Sequence, residues 1–206
     1  MKLIKALCLG WLLVALVALQ FAQAQERVSP QARTTANWVI DSRDNLGMPF
    51  MIIDKHEARV AVFDASGQLI DEASALLGLA VGDDSVPGIG ERPLASILPE
   101  ERTTPAGRFV ASLGRNLKGG VILWVDYENA ISLHPVFTGN PSEQRAERLA
   151  SPSAHDKRIS YGCINVSEHF FTSVISTTFR QSNGIVYVLP ETRSNHAVFA
   201  SYYEVD

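Results

Sequence analysis

The decapeptide RISYGCINVS, residues 158–167, sets a cysteine behind a glycine and ahead of an apolar residue and an asparagine. A thiolate, not a thiol, is the nucleophile, so Cys163 needs a base or a positive local field to do chemistry. Gly162 has no Cβ and lets the chain turn sharply beside the sulfur. Successive backbone N–H groups in such a turn can point at one spot and hold an oxyanion. Ser160 and Asn165 carry short polar side chains that can fix the turn by hydrogen bonds. This is part of what acyl transfer requires. A glycine before a cysteine is common, so YGC alone decides little.

The base must come from elsewhere in the fold, and the chain has five histidines. His56 lies in a turn and His196 in the tail. His155 sits in a polar loop, and His169 opens the helix expected after Cys163. His134 is the best placed. It ends the apolar strand AISLHP, where a rigid element delivers its ring to the sheet edge. Without Cys163 in view, a satisfied strand-end histidine is the simpler reading.

The start of the chain bears on the cysteine. Lys2 and Lys5 precede an apolar run, Ala6 to Phe21, and Ala22-Gln23-Ala24 offers small residues for cleavage. Residues 1–24 read as a secretory signal, with an uncleaved membrane anchor as the alternative. The other cysteine, Cys8, leaves with that signal, so the mature chain keeps Cys163 alone. Outside the cytosol cysteines usually pair, and an odd one flags a reactive thiol. A small buried apolar residue is the other reading, and the count does not separate them. Acidic residues outnumber Lys+Arg by 22 to 18 over the 206-residue chain. No basic stripe favours nucleic acid.

The elements that must position these residues are mostly strands. Residues 25–37 are polar and aperiodic and read as an exposed arm, placed over 25–45 ahead of a domain at 46–206. PFMIID and ARVAVFD form a hairpin across KHE, and LIDEASALLGLAVG returns as one or two more strands. Residues 83–103 hold three prolines and read as a long loop, the kind that often lies over a site. TPAGRFVASLG resumes strand structure, and GGVILWVDYENAISLH gives two strands broken near YEN. Pro135 ends the second. Asn140, Pro141 and Glu143 read as the start of a helix of about two turns through SEQRAERLA. Ser167 caps a further helix, with Phe170, Phe171, Val174, Ile175 and Phe179 on its buried face and Gly184 closing it. IVYVLP is the last strand. The expected fold is mainly β, a sandwich or barrel with one or two short helices.

His134 followed by SYGCIN resembles the signature of the L,D-transpeptidase (YkuD) catalytic domain. That signature is a histidine, a gap, then serine or threonine, histidine, glycine, cysteine, an apolar residue and asparagine. Ser160, Gly162, Cys163, Ile164 and Asn165 match it in order. IIDKHEARVAVFDASGQLI resembles the family's opening hairpin, and TTPAGRF resembles its Thr-Pro-x-Gly-x-Phe turn. The match spans roughly residues 50–190. Three differences stand out. Tyr161 replaces the family's second histidine, Pro135 follows His134 where glycine is frequent, and the gap from His134 to Ser160 holds 25 residues, longer than usual. They bear on substrate choice more than on reaction type.

The resemblance implies an exported enzyme of the periplasm or cell-wall space, acting on peptidoglycan stem peptides without metal or cofactor, as a monomer. Cys163 would attack the carbonyl of a stem's third residue, with His134 as base and the amides of Tyr161, Gly162 and Cys163 as oxyanion donors. An amine on a second stem would complete a 3→3 crosslink. A lipoprotein lysine or water are alternative acceptors, the latter making a carboxypeptidase or amidase. A wall-binding module without catalysis is a further alternative. Arg145, Arg148, Lys157 and Arg158 surround the long loop. Arg158 is the candidate to hold a stem carboxylate, against ordinary solvated charge.

Overall fold

The computed structural model describes residues 28–205. The expected signal segment lies outside the described residues. No helix among them is long and apolar enough to cross a membrane.

Strands form where apolar and β-branched residues cluster between turns. The hairpin of β1 (Phe50–Asp54) and β2 (Arg59–Phe63) leads to β3 (Leu69–Ser74) and a short β4 (Leu77–Gly78). Next come β5 (Gly107–Arg115), β6 (Val121–Asp126) and β7 (Ile131–Pro135). β8 (Arg158–Ser160) and β9 (Ile164–Val166) flank the cysteine, and β10 (Gly184–Val188) is last. Eight strands make one sheet, in the order β3-β2-β1-β10-β5-β6-β7-β9, and β4 pairs with β8. The ends of the large sheet nearly meet. Leu76, just past β3, and Asn165 in β9 exchange both backbone hydrogen bonds, at 2.8 and 2.9 Å. The fold is mainly β, a nearly closed barrel.

Two cores hold the barrel, one on each face of the sheet. β1 alternates between them: Met51 and Ile53 enter one, Phe50 and Ile52 the other. A strand apolar on both faces needs a cover on each. One cover is the helical segment after β9, whose Phe170, Phe171, Ile175 and Phe179 are buried. It is an α turn Glu168–Phe170, a π turn Phe171–Ile175 and an α turn Ser176–Thr178. Ser167 caps it as expected, accepting the Phe170 amide at 3.2 Å. It ends well before Gly184, which opens β10 instead of closing the helix. A Cβ on Gly184 would stand 2.2 Å from the Phe179 ring and 2.7 Å from Pro49 O. Close passage, not helix termination, demands the glycine.

The second cover corrects the expectation of an exposed arm. Where described, that stretch holds a packed helix, Pro30–Ser42, capped by Ser29, whose hydroxyl accepts the Ala32 amide at 3.1 Å. Ala32, Ala36 and Val39 recur at helical spacing and are buried. Trp38 stacks on Phe199 at 5.7 Å and meets Tyr187 edge-on at 5.9 Å. The tail, with a short helix Asn195–Val198, completes this layer through Phe199 and Tyr202. The face carrying Phe50, Ile52, Ile185 and Tyr187 is what the helix and tail keep from water.

A buried ion cluster ties the loops at one end of the barrel together. The Lys55 ammonium donates to Gly82 O (2.5 Å), Asp83 Oδ1 (2.7 Å) and Thr104 O (3.0 Å), which uses all three protons. Asp83 in turn accepts the amides of Glu191 and Thr192 and the Thr192 hydroxyl. Burial opposes its charge, yet these donors hold the Asp83 carboxyl well below the ordinary carboxylate range. A carboxylate held below its unfolded value stabilises the fold above about pH 4 and loses that contribution as pH falls. Asp83→Ala strands a buried ammonium and should cost about 3 kcal/mol in urea unfolding at neutral pH. Asp83→Asn should flatten the decline in stability below pH 4.

Candidate active site

Strand register assembles the site. β7 and β9 are parallel neighbours with His134 opposite Asn165 and Leu133 opposite Ile164. Side chains alternate along a strand. Leu133 and Ile164 enter the core with no exposure. Ser132 and His134 therefore share the other face with Asn165 and with Cys163, which stands two residues before it.

The turn carrying the sulfur is held on three sides. The Ser160 hydroxyl donates to Cys163 O at 2.6 Å and accepts the Gly162 amide at 3.1 Å. Gly162 takes φ +121°, and a Cβ there would lie 2.6 Å from Thr103 O. Any side chain would force the turn apart. Thr104, fully buried, accepts the Gly78 amide at 2.9 Å and donates to Gly162 O at 2.8 Å. Its own carbonyl is the one held by Lys55.

Cys163 is half-buried, and its Sγ lies 3.6 Å from Ala130 O and 3.7 Å from the Ser132 hydroxyl. Burial pushes its pKa up, but hydrogen bonding and charge from His134, with help from Ser132, more than offset this and hold it below the ordinary thiol value. His134 responds in the opposite sense. Burial pushes it down, and Cys163 and the Pro135 carbonyl push it further up, to a net rise. The two groups approach each other in proton affinity, as transfer between them requires. Nδ1 of His134 bonds Pro135 O at 2.8 Å, and Nε2 meets the Asn165 amide nitrogen at 3.1 Å.

The expected residues divide unevenly. Cys163, His134, Ser160, Gly162 and Asn165 converge. Ser160 fixes the turn as foreseen, whereas the Asn165 side chain serves the histidine. Ser160 takes the Gly162 amide, one of the three amides expected to serve as oxyanion donors. The Tyr161 ring lies under the Arg102 guanidinium, 3.9 Å from its centre, at the end of the loop 83–103. Arg158 does not join the site. It pairs with Glu191 and donates to Lys55 O at 2.9 Å, so its charge is spent inside the fold.

Two contributors, Ser132 and Thr104, escaped sequence reading, and a third, Arg145, was named only as one of the charges around the loop. Ser132, two residues before His134, was reachable by strand periodicity. Thr104 lies far from Cys163 in sequence, and no local pattern announces its hydroxyl. Arg145 comes from the long loop, whose expected single helix is broken. Asn140 caps a 3₁₀ turn, Pro141–Glu143, and Gln144 then turns left-handed (φ 48°) before the helix Arg145–Ala150. That break sends Arg145 inward, where Nη1 reaches Asn165 Oδ1 at 2.7 Å.

No protein-family model matches the sequence, and no curated protein does. Among solved structures, the chain is similar to the helical cell shape determining protein Pgp2 from Campylobacter jejuni. The identity is 13%, over 71% of this chain and 49% of that one, with a TM-score of 0.48. It is also similar to L,D-transpeptidase 1 of Mycobacterium tuberculosis, at 14% identity over 68% and 61% with a TM-score of 0.37. An L,D-transpeptidase from Xylanimonas cellulosilytica gives 15% over 68% and 60%, with a TM-score of 0.40. The chain thus spans about half to three-fifths of these proteins. The functional reading rests on the site itself.

Thr104→Val keeps the shape but leaves the Gly78 amide and the Gly162 carbonyl unpaired in the interior. A loss of about 2 to 3 kcal/mol is expected in urea unfolding, with slower alkylation of Cys163 by iodoacetamide. Thr104→Ser, which restores the hydroxyl, should recover most of both.

Proposed function

We propose that this chain is an exported cysteine acyltransferase of the L,D-transpeptidase type, acting on peptidoglycan stem peptides. The observation that carries the reading is the half-buried Cys163 thiol on the same face of the β7–β9 pair as His134, in a turn fixed by Ser160, Gly162 and Thr104. A purely structural cysteine has no need of that partner or of a turn built to aim it.

In this reading His134 Nε2 takes the thiol proton as Cys163 attacks the carbonyl of the stem's third residue. The tetrahedral oxyanion forms beside the amides of Tyr161 and Cys163. Losing one such donor typically costs a hundredfold or more in rate. Collapse expels D-alanine, whose amine takes the proton from His134, and leaves a thioester on the sulfur. An amine on a second stem then attacks and frees the thiol. The Pro135 carbonyl steadies the ring through Nδ1 while charge passes through it.

The mature protein incubated with purified muropeptides tests this, with products read by mass. A tetrapeptide–tetrapeptide dimer supports the transferase, and Cys163→Ser should abolish it. Tripeptide alone would make the enzyme a hydrolase. No product and no carbapenem adduct on Cys163, with the fold intact, would leave a wall-binding module in place of an enzyme.

A further inference from the structure

Arg102, Arg145 and Arg158 all stand close to the cysteine turn, and two of them are neutralised inside the fold. Arg145 is paired with Glu143 and Arg158 with Glu191. Arg102 forms no ion pair among the described residues. Its neighbour Glu101 is taken by Arg92, at 2.8 and 3.0 Å. A charge drawn part-way out of water without a partner is unfavourable, so an anion that completes it is held.

The Arg102 guanidinium is seated before any ligand arrives. A Cβ on Gly162 would stand 2.6 Å from Thr103 O, and the Thr104 hydroxyl donates to Gly162 O. The backbone beside Arg102 therefore runs along the cysteine turn. One face of the guanidinium covers the Tyr161 ring, 3.9 Å from its centre. Nε and Nη2 both donate to Ile97 O, at 3.3 and 3.1 Å. Those bonds use the side edge of the fork. The end edge, with one hydrogen from each Nη, has no partner among the described residues, and a carboxylate can take it bidentately. Arg102 and Tyr161 are both partly exposed, so a ligand can reach them.

We infer that Arg102 is a specificity-determining residue: seated on Tyr161, it takes a free carboxylate of the stem peptide beside the scissile carbonyl. The inference rests on the enzyme reading above. Tyr161 stands two residues before Cys163. The free C-terminus of a tetrapeptide stem stands one residue past the carbonyl that the sulfur attacks. Where the third residue is a diamino dicarboxylic acid, its side chain ends in a second carboxylate of the same chemistry. Tyr161 in place of histidine is then part of the site, since a phenol ring attracts a guanidinium and an imidazolium would repel it.

Peptides that lack one carboxylate at a time test this. The wild type should convert the free tetrapeptide about ten- to a hundredfold more efficiently, in kcat/KM, than the peptide amidated at the recognised carboxylate. Amidation of the C-terminus and of the third side chain distinguishes the two sources, and such a loss from either one supports the inference. Arg102→Gln should bring the free peptide down to the level of the amidated one and leave the amidated one within about twofold. A merely loosened loop would lower both alike. Equal turnover of free and amidated peptides by the wild type would overturn the inference, whether or not any variant folds. A folded Arg102→Gln that still discriminates as the wild type does would overturn it too.

Alkylation reads the same charge without a substrate. Iodoacetate carries a carboxylate and iodoacetamide does not, and the same thiolate attacks both. The ratio of their rates is thus independent of how much sulfur is ionised. At low salt this ratio should be about fivefold higher in the wild type than in Arg102→Gln. The difference should close at about 1 M salt, where the screening length is about 3 Å. Equal ratios at low salt would count against the inference. If the wild type converts no peptide and forms no carbapenem adduct, it is the enzyme reading that fails, and the ratio still decides whether Arg102 offers its charge at the sulfur.

Discussion

Everything at the site depends on the parallel pairing of β7 with β9. That register sets His134 beside Asn165 and leaves Cys163 at the mouth of the same strand pair. A parallel pair demands a long crossover, and here the crossover runs through the loop and β8. Its length is thus part of the site's construction: the same segment that closes the topology also carries Arg145 to Asn165. A slip of one residue between β7 and β9 would send Ser132 and His134 into the core and bring Leu133 to the surface. The apolar contacts of Leu133 and Ile164 guard against that slip, so the core stabilises the geometry of the site through register.

Behind the turn stands a chain of support that ends in buried charge. Lys55 holds the Thr104 carbonyl, Thr104 holds the Gly162 carbonyl, and Gly162 sets the sulfur. Buried ions are costly to desolvate, and hydrophobic replacements would often serve stability as well. What the cluster adds is placement, since Lys55, Asp83 and Glu191 join the segments after β1, before β5 and after β10. Arg158 belongs to this frame through Glu191. Its proximity in sequence to the cysteine gave no hint of that role.

Much of the fold was readable in the sequence because strand and cap signals are local. Ser167 caps its helix as expected, Asn140 caps a 3₁₀ turn rather than the expected helix, and Pro135 ends β7. The failures have physical causes. PFMIID is apolar without alternation, which means burial on both faces, and the helix Pro30–Ser42 is the cover it required. Gly184 looked like a helix stop because glycine serves both termination and close packing, and only the Phe179 ring distinguishes the two. The Cys163–His134 pair was legible from residue chemistry and motif order. The Asn165–Arg145 relay was not, because a left-handed Gln144 redirects the chain and nothing about glutamine announces that turn.

The central claim is that one proton is shared between Cys163 and His134. Ultraviolet titration of the thiolate measures it most directly, in the folded wild type and in His134→Ala. The account predicts that folded Cys163 ionises at lower pH than an ordinary thiol, and that His134→Ala moves the midpoint above it, because burial then acts unopposed. Identical midpoints in the two proteins would contradict the account.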